Sequence, residues 1–197
     1  CPNKSKLRLG KTKMDFRMLG KAAANGSSEF MTNVSMSLVN MLYNWQLMRL
    51  IGAQGVAVFG IIMYVSFIFA AIFIGYSMGS APVIGFHYGA GDKEELKGLF
   101  RKSLWILLVF SVVLTGLAMM LAKPLAMIFV AYDPELLELT KRALTIYSLA
   151  FLMSGFNIFA SSFFTALNDG LTSALISFGR TLMFQVGSVL LLPLIFD

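Results

Sequence analysis

The sequence predicts an all-α, polytopic membrane protein with five transmembrane helices. Three observations carry that prediction. Hydrophobic residues make up 57% of the 197 residues, charged residues only 13%, and the mean hydropathy is +0.76; a soluble domain carries about a quarter charged residues. The apolar residues gather in runs long enough to cross a hydrocarbon core of about 30 Å at about 1.5 Å per residue. Nearly all of the charges sit between those runs.

Residues 1–28 form a basic lead with Lys4, Lys6, Arg8, Lys11, Lys13, Arg17 and Lys21. It ends on Ala24-Asn25-Gly26-Ser27-Ser28, a loop composition. Beginning at Cys1 instead of Met points to a fragment or a processed start, and a single cysteine builds neither a disulfide framework nor a metal site. The net charge of +6 does not argue for nucleic acid. A basic run abutting a membrane span is a topology signal that also touches anionic lipid, and this one lacks the aromatic interleaving that stacks bases.

The first span covers about residues 29–49. Glu29, Asn33, Ser37, Asn40 and Asn44 step by three or four and share one helical face. Trp45 and Arg49 close it, as an indole and a snorkelling guanidinium suit the interface. The second span, about 56–79, is nearly all apolar and leads into Gly79-Ser80-Ala81-Pro82-Val83-Ile84-Gly85-Phe86-His87-Tyr88-Gly89-Ala90-Gly91-Asp92, which reads as a membrane-exit turn. Pro82 weakens the helical ladder there, while Gly75 with Gly79, and Gly85 with Gly89, permit close helix approach. His87 reads as an interface residue. The glycine-rich end is not a phosphate loop, because the spacing is incomplete and no strand precedes it.

Asp92 with Glu95 resembles a capping box opening a short charged helix, which runs into the third span, about 103–122. With only Ser103, Ser111 and Thr115 polar, that span is expected to face lipid. Lys123-Pro124 is expected to end it, leaving residues 125–132 too short to cross. Asp133 and Pro134 restart a helix as N-cap and first helical residue. The fourth span, about 143–167, carries Tyr147, Ser154, Asn157, Ser161 and Thr165 on a stripe. Asn168-Asp169-Gly170 is a turn. The fifth span, about 171–196, aligns Ser173, Ser177, Thr181, Gln185 and Ser188, with Arg180 on a neighbouring face.

Lys and Arg counting sets the orientation. The lead and Lys93, Lys97, Arg101 and Lys102 place eleven on one side, against Arg49, Lys123, Lys141 and Arg142 on the other. The expectation is a cytoplasmic N-terminus in a plasma membrane, a bacterial inner membrane in particular, and five crossings.

Three stretches together, residues 25–30, 79–97 and 166–181, resemble the C-terminal half of a multidrug and toxic compound extrusion (MATE) transporter. The most specific is Pro-x-x-Gly-aromatic-x-aromatic-Gly-Ala at residues 82–90. The sequence departs from the family at Met78 and Ala81, where many members carry Gln, and at His87, where many carry Asn. The resemblance implies helices seven to eleven of a twelve-helix transporter, the twelfth lacking, with residues 1–28 as the cytoplasmic linker between halves. It implies cation-coupled antiport of drugs or amphipathic organic cations by alternating access, with Na+ or H+ as coupling ion and no cofactor or metal centre. The implied partners are membrane lipid, the small-molecule cargo and the N-terminal half, and not nucleic acid.

Candidate residues follow from the polar faces. Glu29 is an acid on a bundle-facing stripe, which marks a functional site by default; the resemblance implies the role of coupling acid in the seventh helix, and the competing reading is a first-turn acid favoured by the helix dipole. Asn33, Asn40, Asn44, Asn157 and Gln185 are candidates for lining a cavity; the same stripes also suit interhelical hydrogen bonds. Arg180 costs about 3 kcal/mol facing lipid at mid-depth, so it should pair or line the cavity. Gly79, Pro82, Gly85 and Gly89 are candidates for a gating turn. A lipid-linked saccharide flippase of the same superfamily is the alternative, disfavoured because its anionic cargo calls for more basic cavity residues than Arg180. A non-transporting membrane interaction module is a further alternative. An enzyme is disfavoured by the lack of HExxH, a nucleophile elbow or paired carboxylates in the spans.

Overall fold

The computed structural model describes residues 15–195, and every regular element among them is helical. Helix α1 runs Phe16–Leu50, α2 Ala53–Ala90, α3 Lys93–Val130, α4 Pro134–Ser148 and α5 Phe151–Ala166. Helix α6, Gly170–Phe178, passes through a π-helical segment, Gly179–Val186, into α7, Gly187–Ile195. The core lies between α2, α3 and the α4–α5 pair, while α1 packs beside it on α2, α6 and the π segment.

Side-chain caps fix several starts. Asp15 accepts N–H bonds from Arg17 and Met18, Asp92 from Glu95, Asp133 from Glu135 and Leu136, and Asp169 from Thr172. Each carboxylate satisfies amides that the first turn leaves without partners. The lead is not a loop at 24–28, since α1 begins at Phe16 and its backbone is helical throughout that stretch. Residues 1–14, with Lys4, Lys6, Arg8, Lys11 and Lys13, lie outside the described residues.

Two expected helix breaks are absent. Helix α2 continues through Pro82 to Ala90, so the turn shrinks to Gly91 and Asp92. Pro82 points outward, and the buried stripe of Val65, Phe69, Phe73 and Ser77 resumes at Ile84, two turns on. Packing of that stripe on α5 holds the helix across the missing hydrogen bond. Gly91, at φ 75°, ends it in the left-handed conformation, with the Asp92 N–H returning to the His87 carbonyl at 3.0 Å. Likewise α3 passes Lys123-Pro124 without ending. Ala118, Ala122, Ala126 and Val130 keep one buried row across the proline, so residues 125–130 extend the helix.

The third span has two faces, not one. Ser103, Leu107, Ser111, Leu114 and Thr115 are buried, whereas Trp105, Val109, Val112, Val113 and Met120 are exposed. The small hydroxyl side turns to α4 and α5 because small residues let backbones approach. Tyr76 of α2 donates its hydroxyl to Ser103 at 2.9 Å, tying α2 to α3.

The expected fourth span is a bent pair. Helices α4 and α5 meet at Leu149-Ala150 with a bend of 50°. Three helices among the described residues are long and apolar enough to cross a membrane, namely α2, α3 and residues 170–191, and the bent pair makes a fourth. Helix α1 is long enough, but its polar residues keep its hydropathy below that of the others.

The π segment has a packing consequence. Ser173, Ser177 and Thr181 of this run are buried, and so is Val189. Eight α-helical steps of about 100° would turn Val189 some 80° away from Thr181. The wider π turn brings it back to the same side.

Candidate functional site

One cavity of about 460 Å³ opens between α1, α2 and α4, with Gln185 of the π segment also in its lining. Its volume falls in the range of small-molecule sites. Met36, Asn40 and Tyr43 line it from α1, Phe59 and Met63 from α2, and Ile146 and Tyr147 from α4. They are three or four apart along α1 and four apart along α2, and on α4 Leu139, Ala143 and Tyr147 follow each other by four, so each helix turns one face to the hollow.

Three aromatic contacts fix the walls. Tyr43 stacks on Phe59, centroids 5.1 Å apart and 18° between planes. Tyr147 meets Phe151 edge-on at 5.9 Å, and Phe151 stacks on Phe69 at 5.1 Å. The Tyr147 wall is thereby linked to the core across the α4–α5 bend. The hollow is apolar with a few oriented polar groups: the Asn40 and Gln185 amides and two phenols. Aromatic faces attract cations, and an amide oxygen accepts a hydrogen bond from an ammonium. Among the described residues no carboxylate lines it, and no group of three His, Cys, Asp or Glu converges elsewhere.

The structure gathers some of the sequence candidates here and scatters the rest. Asn40 and Gln185 line the cavity. Asn44 lies just outside it, lining a neighbouring groove with its side-chain amide donating to the Asn40 carbonyl at 2.8 Å. Asn33 is exposed on α1, where its carbonyl accepts from Ser37. The backbone of Glu29 belongs to α1, but its side chain lies outside the described residues. Asn157 is half-buried on α5 and lines neither hollow. Arg180 is half-buried in the π segment, also outside both, with no ion pair among the described residues.

In the last two stripes Ser161, Thr165, Ser173 and Ser177 bond between helices, whereas Ser154 and Ser188 each donate to a carbonyl of their own helix. Ser161 of α5 lies 2.9 Å from Ser173 and 2.8 Å from Ser177 of α6, and Thr165 donates to Ser173 at 2.8 Å. Gly79, Pro82, Gly85 and Gly89 all sit inside α2, not in a turn. Of the four glycines expected at close approaches only Gly85 has a neighbour, where a Cβ would meet the Ala166 carbonyl at 3.6 Å; Gly75, Gly79 and Gly89 face open space. His87 is partly buried, with Nδ1 3.7 Å from Asp92. Arg49 lies over the Trp45 ring, 5.9 Å from its centroid.

Tyr43 and Phe59 escaped the sequence reading. Tyr43 follows Asn40 by three, a usable signal for the same face, whereas Phe59 is one of many aromatics in an apolar run.

Comparison with known proteins agrees with this architecture. No curated protein matches the chain. A crystal structure of MATE in complex with MaL6 superposes with a TM-score of 0.78 at 21% sequence identity, covering 89% of this chain and 39% of that one. This chain therefore spans less than half the length of that relative, and the likeness is one of fold. The MatE family profile matches residues 30–189, most of the sequence. The chain belongs to the MatE family.

Proposed function

We propose that this chain forms the C-terminal half, through the eleventh helix, of a plasma-membrane antiporter that exports amphipathic organic cations. Entry of Na+ or H+ drives it, and the two halves rock in alternating access as repeat-built transporters do. The observation that carries this reading is the cavity of about 460 Å³ walled by Tyr43, Phe59 and Tyr147 with the amides of Asn40 and Gln185. An apolar, aromatic chamber with a few acceptors fits a lipophilic cation better than an anion. Nothing in its lining is basic, which disfavours a pyrophosphate-linked saccharide.

Glu29 is assigned the coupling role because an acid on an intramembrane helix is a functional residue by default. The test uses the complete transporter, both halves included, in proteoliposomes. Tyr147→Ala and Gln185→Ala should weaken tetraphenylphosphonium binding severalfold, and Glu29→Gln should uncouple efflux from the ion gradient. Ion-driven efflux that survives Glu29→Gln unchanged would sink the coupling assignment; binding unaffected by both cavity variants would sink the chamber.

A further inference from the structure

We propose that Phe59 is a gate between the cavity and a second hollow, and that this second hollow is the cavity's access route. The proposal rests on the reading of the cavity as a binding chamber and adds how a ligand enters it.

A groove of about 710 Å³ adjoins the cavity, between α1, α2 and the end of α3. Asn40, Phe59 and Met63 line both hollows, so these three side chains are the partition. Met63 has three rotatable bonds and adapts to what passes. Phe59 is the bulkiest of the three and is held by its stack on Tyr43. Turning Phe59 off that stack removes the largest part of the partition while leaving the helices in place.

The groove is built as a passage. Gly60 sits beside the gate without a side chain, and a Cβ there would meet nothing within 4 Å. Farther out, Tyr64 stacks on Phe129 of α3 at 6.5 Å. Tyr64 and Phe67 are each 71% exposed, so the groove opens to the outside of this helical unit. Aromatic faces on both sides of the partition suit one ligand class along the whole path, an amphipathic cation.

The experiment needs no cargo. In a Cys1→Ser background, Ala143→Cys places a thiol in the cavity wall on α4. Its labelling by the methanethiosulfonate ethyltrimethylammonium reagent is timed in the full chain in nanodiscs. Phe59→Ala should speed labelling about 2- to 12-fold, the rate equivalent of one aromatic pair. Gly60→Leu, which enters open space and should fold normally, should slow it severalfold. Rates unchanged by both variants, or a thiol unreactive even in Phe59→Ala, overturn the gate. Labelling that follows the gate in a chain that binds no tetraphenylphosphonium refutes the proposed cargo class and leaves the gate standing.

Discussion

Gly155 is the position where a single methyl group should do most damage. Its Cβ would lie 2.5 Å and 2.6 Å from two ring carbons of Phe73 and 3.2 Å from a third. Phe73 is 1% exposed, so its ring has nowhere to retreat without moving the α2–α5 contact. Overpacking a filled core costs about 1–3 kcal/mol, and overlaps this short place Gly155→Ala in the upper part of that range. Replacing a helical glycine by alanine returns about 1 kcal/mol. The net expectation is a loss of about 1–2 kcal/mol, on the magnitudes just used. Reversible unfolding in detergent micelles measures it, and Phe73→Leu supplies the second arm of a double-mutant cycle. If the clash is the cause, the double variant should be more stable than the sum of the single losses by about 1 kcal/mol, the coupling typical of residues in contact. A neutral or stabilising Gly155→Ala, or strict additivity with Phe73→Leu, refutes the reasoning.

Other expectations follow from single contacts. Ser173→Ala removes hydroxyl bonds to Ser161 and Thr165 and should cost about 1 kcal/mol. Ser188→Ala, whose hydroxyl bonds only its own helix at Phe184, should leave the unfolding midpoint unchanged. Gly91→Ala should cost about 1–2 kcal/mol from backbone strain alone, because φ is 75° and the methyl meets nothing within 4 Å. Gly89→Ala, two residues earlier in ordinary helix, should instead stabilise by up to about 1 kcal/mol in the same assay. The Thr172 hydroxyl and N–H donate to Asp169 and hold its carboxyl below the ordinary aspartate range. Its contribution to stability is therefore full above the unfolded-state value of about 3.9 and fades as pH falls through the lower folded one. Thr172→Ala should flatten that acid limb of the pH–stability curve; an unaltered limb counts against the bond.

The sequence by itself determined the fold class and the helix starts that follow Asp92, Asp133 and Asp169, for a local reason. Membrane burial demands apolar runs and internal hydrogen bonding, and both are written in composition. Caps are equally local, since Asp92, Asp133 and Asp169 reach amides two or three residues ahead. The family likeness was legible too, because residues 82–90 are contiguous. The tertiary structure alone decided where helices persist. Pro82 and Pro124 are breakers in isolation, yet Ile84 and Ala126 lie on buried faces whose packing carries the helix past each proline. It also chose among polar stripes that look alike in sequence. Asn40 faces a cavity while Ser161 and Thr165 bond to α6, because that choice depends on which helix lies opposite. Phe59 shows the limit most clearly. Nothing in its local sequence distinguishes it from other apolar aromatics, and its place between two hollows exists only once α1, α2 and α4 are assembled.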